Sequence, residues 1–292
     1  MSGFIQILVS GLATGAIYAL VAVGFSLLWQ TSQTINFAQG EFVMLPAFFI
    51  LAAMKFGGLS YWPALGVGVV GACLVLGVLF KAVIVDPMLR HGVLPLVIAT
   101  IALSIFLKES VKESYSAQAQ PFPPLGEGVD LHFFGAVVSS QSLVIVLVAV
   151  AAVMALNWFL NRTRTGRSMQ ATAQNPTVAR ILGIPVERMI LYAFVINGAL
   201  VALASILISP IYLAKFTNGE TLGLAAFVAA IIGGFNQVRG AVLGGVILGV
   251  LDNLSAVYIS AQYRSALPLL ILVAVILFRP QGLLGRVEER TV

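Results

Sequence analysis

Asn36, Gln39 and Glu41 stand close together in TINFAQGEF, at the start of a long apolar stretch, beside a glycine, Gly40, that permits the backbone to break. Amides and a carboxylate are expensive to hold in hydrocarbon, so in a membrane they face a bundle interior or water. At headgroup level the same residues carry no function, and the residues alone leave both readings open. If they line a route, their chemistry is hydrogen bonding to a polar solute, with no bonds made or broken. Thr14 and Tyr18, four positions apart in the first apolar run, Asn197 in a later run, Asn236 between two runs and Asp252 beyond it are further candidates. For each of these an interhelical hydrogen bond is an equal reading.

Other chemistries find no support. The few ionisable groups gather at the ends of apolar runs, and no nucleophile, base and orienter stand together, so no catalytic residue is assigned and an enzyme is not expected. His91 and His132 are far apart and lack a cysteine or carboxylate at metal-ligand spacing, so no metal is assigned. The single cysteine, Cys73, excludes an intrachain disulfide. No G-x-x-x-x-G-K-[ST] sequence is present to cradle a nucleotide phosphate, so any ATP-driven cycle must borrow its motor.

These polar residues are positioned by elements made for lipid. Hydrophobic residues make up 60% of the 292 positions, charged residues 9%, and mean hydropathy is +1.02. A soluble domain is typically about a quarter charged. Apolar runs fall near 4–29, 36–55, 62–85, 93–112, 141–160, 189–213, 222–235, 240–259 and 264–279. Most approach the roughly 20 residues a helix needs to cross a bilayer, and the alternation of a β-barrel is absent. The expected fold is an all-α integral membrane protein, a polytopic bundle of about eight to nine spanning or half-spanning helices. The seventh run is too short to cross and holds Gly233 and Gly234, so it is expected to be re-entrant or half of a broken helix. Gly240 with Gly244, and Gly245 with Gly249, have the four-residue spacing that lets helices approach closely, on two different faces. INFAQGEF and GGFNQVRGAVLGG are candidates for matching broken elements of an internal repeat.

The net charge of +5 sits mostly between runs and speaks of topology rather than nucleic acid. Arg162, Arg164, Arg167, Arg180 and Arg188 face one acid, Glu187, which places the loop at about 161–188 in the cytoplasm, together with a tail holding Arg279, Arg286 and Arg290. The loop at about 113–140, with Glu113, Glu127 and Asp130, is expected outside.

Inside the cytoplasmic loop, QNPTVARILGI reads as a short helix. Asn175 is an N-cap, Pro176 suits the first helical position, and Gly183 before Ile184 and Pro185 gives a stop. Val178, Ile181 and Leu182 share one apolar face. Two turns cannot hold themselves in water, so this helix needs a surface, either lipid or a partner protein.

The run GRSMQATAQNPTVARILGI resembles the coupling loop of bacterial ABC importer permeases. With INFAQGEF and IIGGFNQVRGAVLGGVILG, nearly the whole chain is similar to the branched-chain amino acid ABC transporter permeases, the LivH-like family. The resemblance implies one transmembrane permease domain over 1–292 in the bacterial inner membrane, translocating solute by alternating access. It implies that the helix at 176–182 docks on a separate ATPase, with Arg167, Asn175, Pro176, Ala179, Arg180, Gly183 and Ile184 as matching positions. It also implies two cytoplasmic ATPase subunits that bind ATP and Mg, a second homologous permease forming a heterodimer, and an extracytoplasmic substrate-binding protein, with no cofactor in this chain. Ser168 stands where alanine is commoner, and Gln39 where many relatives carry histidine; the second departure weakens transfer of substrate identity. Urea, short amides or other small polar solutes remain alternatives, as does a gradient-driven transporter using Glu41, Asp86 or Asp252, or a non-transporting scaffold.

Overall fold

In hydrocarbon every backbone N–H and C=O must be satisfied within the protein, so the apolar runs become helices. The computed structural model describes residues 2–125, 131–133, 136–260 and 266–285. Glu127, Asp130, Arg286 and Arg290 lie outside them, and the side chain of His132 is likewise undescribed. Among the described residues six helices are long and apolar enough to cross a membrane: α1 (Ser2–Ser32), α3 (Tyr61–Leu89), α4 (Val93–Ser114), α5 (Ser140–Arg162), α8 (Val186–Tyr212) and α10 (Val238–Tyr258). Three are shorter: α2 (Gln39–Lys55), α9 (Asn218–Gly233) and α11 (Ala266–Phe278). These nine correspond to the nine apolar runs, and the expected bundle of spanning and half-spanning helices is found. Two small helices, α6 (Arg164–Gln174) and α7 (Pro176–Ile181), occupy the arginine-rich loop. A small antiparallel pair, β1 (Leu131–Phe133) and β2 (Ala136–Val138), precedes α5, with Leu131 opposite Val138.

The element limits differ from the apolar runs where polar residues extend a helix. The seventh run becomes α9, which starts at Asn218 rather than near 222 because Asn218, Gly219 and Glu220 form its first turn. The third run continues to Leu89 because Asp86 pairs with Lys81 one turn earlier.

The chain divides into two compact units interleaved in sequence. One comprises Met1–Ser26, Gly126–Val150 and Ala225–Val292, and the other Leu27–Leu125 and Ala151–Leu224.

In the first unit α10 is clamped by backbone. A Cβ on Gly249 would run into Gly15 of α1, and one on Gly245 would stand 2.5 Å from Ala19 Cα. On another face of α10, a Cβ on Gly240 would meet Gly233, and one on Gly244 would meet Ala229, both on α9. Here glycine is required because two backbones fill the space of a side chain. The C-terminal end of α9 leaves carbonyls that a broken helix cannot satisfy itself. Leu283 N–H donates to Ile232 O at 2.8 Å and Leu284 N–H to Gly233 O at 3.0 Å, so the segment after α11 closes that end.

In the second unit, Pro46 interrupts α2 and disturbs its hydrogen-bond ladder. Nearby, the Ala47 N–H donates to Ser205 Oγ of α8 at 3.1 Å, so a neighbouring helix supplies a polar partner beside the proline. Within α3, Cys73–Leu79 and Lys81–Val85 widen into π-helix. Phe80, between them, meets Phe42 of α2 edge-on at 4.8 Å and lies 5.9 Å from Phe194 of α8.

Candidate functional site

The arginine-rich loop is built from local chemistry. Thr163 caps α6 by accepting from Gly166 N–H at 2.9 Å, and Gly166 lies against the backbone of Phe159 and Leu160, which fixes a tight turn off α5. Met169 and Thr172 of α6 are buried, while Arg164 and Arg167 are exposed. Asn175 Oδ1 then accepts from the N–H groups of Thr177 and Val178, both at 3.0 Å, and starts α7. Gly183, at φ +80°, ends it. Gly183 N–H donates to Arg180 O at 3.1 Å and Ile184 N–H to Ala179 O at 3.0 Å, the two bonds of a Schellman motif.

The two-turn helix is capped at both ends, with Ala179 seated on the chain, and its faces differ. Ala179 is 2% exposed, turned into the chain, whereas Ile181 is 78% and Leu182 72% exposed, with Val178 beside them. Arg167, Asn175, Pro176, Arg180 and Gly183 are also exposed, and Ile184 is half-buried. The outward surface is thus an apolar patch rimmed by arginine, and Ala179 is the inward foot of the helix.

Within the second unit, Gln39 and Asn197 come together although far apart in sequence. Gln39 Nε2 donates to Asn197 Oδ1 at 2.6 Å and Asn197 Nδ2 donates to Gln39 Oε1 at 3.0 Å, with both residues fully buried. Asn36 Oδ1 accepts from Ala38 N–H at 3.0 Å and so shapes the break before α2. Glu41, also buried, accepts from Ser104 Oγ at 3.4 Å, while its Oε2 has no hydrogen-bond partner among the described residues. Within the first unit, Tyr18 donates to Asp252 Oδ2 at 3.1 Å, and Asn253 Nδ2 donates to Thr14 Oγ1 at 3.2 Å. Asn236 sits in the turn between α9 and α10, partly exposed. Asn253 stands beside Asp252 in the polar cluster that the sequence shows, whereas Ser104 carries no such mark, because only the helix register brings it against Glu41.

Reciprocal amides leave each other satisfied, and removing one strands the other. Asn197→Ala should destabilise the solubilised protein by about 1–3 kcal/mol, the cost of an unpaired buried amide. The double variant Gln39→Leu with Asn197→Leu should cost clearly less than the two single leucine variants summed. Denaturation in mild detergent measures this, and strictly additive losses would refute the pairing.

Among the described residues no three His, Cys, Asp or Glu side chains gather to hold a metal. No nucleophile, base and orienter gather among the described residues either. The geometry offers helices with buried amides and hydroxyls, and a capped apolar knob on a basic loop.

Residues 7–276 match the family described as branched-chain amino acid transport system / permease component. The chain belongs to this family. The high-affinity branched-chain amino acid transport system permease protein LivH of Escherichia coli is 33% identical over 301 residues, covering 99% of this chain and 98% of the relative. BraD of Pseudomonas aeruginosa, of the same description, is 33% identical over 303 residues with the same coverage. The fructose import permease protein FruG of Bifidobacterium longum is 32% identical over 201 residues, 62% of this chain and 58% of its own. This member of the permease family is therefore a transport subunit and not an enzyme, an ABC importer permease spanning the bacterial inner membrane several times. Membership in the family implies partners of the ABC transporter kind, ATPases and a binding protein.

Proposed function

We propose that this permease carries branched-chain amino acids inward by alternating access, driven by two ATPase subunits, one of which docks on α7. The observation that carries the docking is the exposed apolar face of Val178, Ile181 and Leu182 on a helix capped at both ends. A capped knob of this kind transmits displacement, where a frayed loop would absorb it. The loop at 161–188 lies in the cytoplasm and that at 113–140 outside, with 1–292 acting as one permease domain beside a second, homologous permease. ATP and Mg belong to the ATPases, and this chain holds no cofactor.

Solute selection rests mainly with the binding protein, so the membrane path needs only weak polar contacts and room for an apolar side chain. Thr14, Tyr18, Asn36, Gln39, Glu41, Asn197, Asn236 and Asp252 supply the polar character. Gln39 and Asn197 bond each other in both directions and act as a fixed support, while Tyr18 and Asn236 keep partial exposure. Gly240, Gly244, Gly245 and Gly249 set the packing that holds α10 in place.

Relatives named for branched-chain amino acids support this substrate, and a relative named for fructose import shows that it needs testing. With permeases, ATPases and binding protein in proteoliposomes, labelled leucine should accumulate only with ATP, and unlabelled isoleucine or valine should compete. Uptake of urea or a short amide in place of leucine would overturn the substrate. Loss of uptake on collapsing the proton gradient, with ATP intact, would favour the gradient-driven transporter.

A further inference from the structure

Glu187, in the first turn of α8, is a shared carboxylate. Its Oε1 lies 3.8 Å from Arg180 Nη2 on α7, and its Oε2 lies 3.8 Å from Lys81 Nζ on α3. Lys81 is buried and holds both oxygens of Asp86 at 2.8 Å. A buried ammonium stripped of counter-ions is strongly unfavourable; Asp86 on the same helix keeps Lys81 neutralised, and Glu187 is the one carboxylate of the set that comes from another helix and ties Lys81 to it. Arg180 and Glu187 are both solvent-exposed, and an ion pair of that kind adds little to stability, so holding the fold does not explain it.

What lies behind Lys81 gives the pair its meaning. Lys81 begins a stretch of π-helix, a geometry that often marks functional sites in otherwise regular helices. Its neighbour Phe80 packs on Phe42 and Phe194. Phe42 and Phe194 each stand three positions from the Gln39–Asn197 pair. Ion pairs from Arg180 through Glu187 to Lys81, the chain step to Phe80, its ring contacts with Phe42 and Phe194, and one helical turn on each of those helices thus link the capped helix to the buried amides, all inside one compact unit.

We infer that Glu187 is the joint that passes displacement of α7 to α3. When α7 moves, Arg180 draws Glu187, Lys81 follows, and the π-helical stretch re-seats Phe80 against Phe42 and Phe194. Glu187 and Lys81 are positioning residues that touch no solute. This joint presupposes the docked helix proposed above.

The test uses the full complex in proteoliposomes and compares wild type with Glu187→Gln, Lys81→Met and the double variant. Retained ATPase, ATP hydrolysis and solute imported per ATP are read separately. Glu187→Gln, at an exposed position where folding is not at stake, should keep the ATPases and their hydrolysis. It should lower solute imported per ATP by about fivefold or more, the lower end of typical coupling strengths. The double variant should lose no more than the worse single variant, which a merely structural role would not produce. Unchanged import per ATP in Glu187→Gln, with the ATPases bound, would overturn the joint and leave docking intact. Loss of the ATPases from Glu187→Gln would also overturn it, by making Glu187 part of the docking surface. If wild type retains no ATPase, the docking reading falls and the joint falls with it. Should Lys81→Met fail to fold, Glu187→Gln decides alone.

Discussion

With Ile181 replaced by arginine, the permease should fold and insert normally, yet lose its docked ATPase subunit on purification and fall to background in ATP-driven uptake. Ile181 touches little of its own chain, being 78% exposed, so the substitution leaves the helix bundle untouched. In a docked complex its burial is worth about 1.5–3 kcal/mol. An arginine in the same apolar contact forfeits that and adds the cost of desolvating a charge, so affinity should fall by about a hundredfold or more. Ile181→Leu, which keeps the apolar volume, should retain the ATPases. Ala179 is the wrong position for this experiment, because it is 2% exposed and an arginine there would damage the packing of α7 itself. Co-purification with quantified ATPase decides the matter, and a full complement of ATPase on Ile181→Arg would refute docking through this face.

Replacing Gly249 with leucine should strongly destabilise the first unit. The first carbon of any side chain there runs into Gly15 of α1 and would stand 2.8 Å from Gly11 O. Overpacking typically costs about 1–3 kcal/mol when side chains can shift aside, and more when they cannot. Here the obstacle is backbone on a glycine face that has no volume left to surrender. Gly249→Leu is expected to cost about 3 kcal/mol or more on that reasoning, with Gly249→Ala intermediate. Loss of monodisperse protein on heating in detergent gives the readout, and an unshifted unfolding midpoint for the leucine variant would mean that α1 and α10 are not in contact at this glycine.

The parts of this molecule that local chemistry dictates were readable from its residues. Nine apolar runs announced nine apolar helices, and Asn175 with Gly183 marked both ends of α7, because capping depends on residues only a few positions apart. The helix α6 was less visible, since its buried face is only Gly166, Met169 and Thr172 and its arginines suggest a plain charged loop. The pairing of Gln39 with Asn197 spans 158 positions and depends on two helices meeting in one register, which composition does not encode. The π-helical stretches of α3 are a matter of backbone register among ordinary apolar residues, and the sequence carries no mark of them. The burial of Ala179 depends on how α7 leans on the chain, a tertiary fact that helical periodicity alone did not supply.

The interleaving of the two units sets a timetable for making this protein. Asp252, which accepts from Tyr18 of α1, is made 234 residues after it. At a synthesis rate of about 5–20 residues per second, α1 waits roughly 10–50 s in the bilayer before α10 exists. Through that interval Gly11 and Gly15 lack the α10 backbone that they face in the finished fold, and the residues of the second unit are all made before α10. A chain released early would therefore carry an unmatched α1, a feature by which membrane quality control could tell an incomplete permease from a finished one.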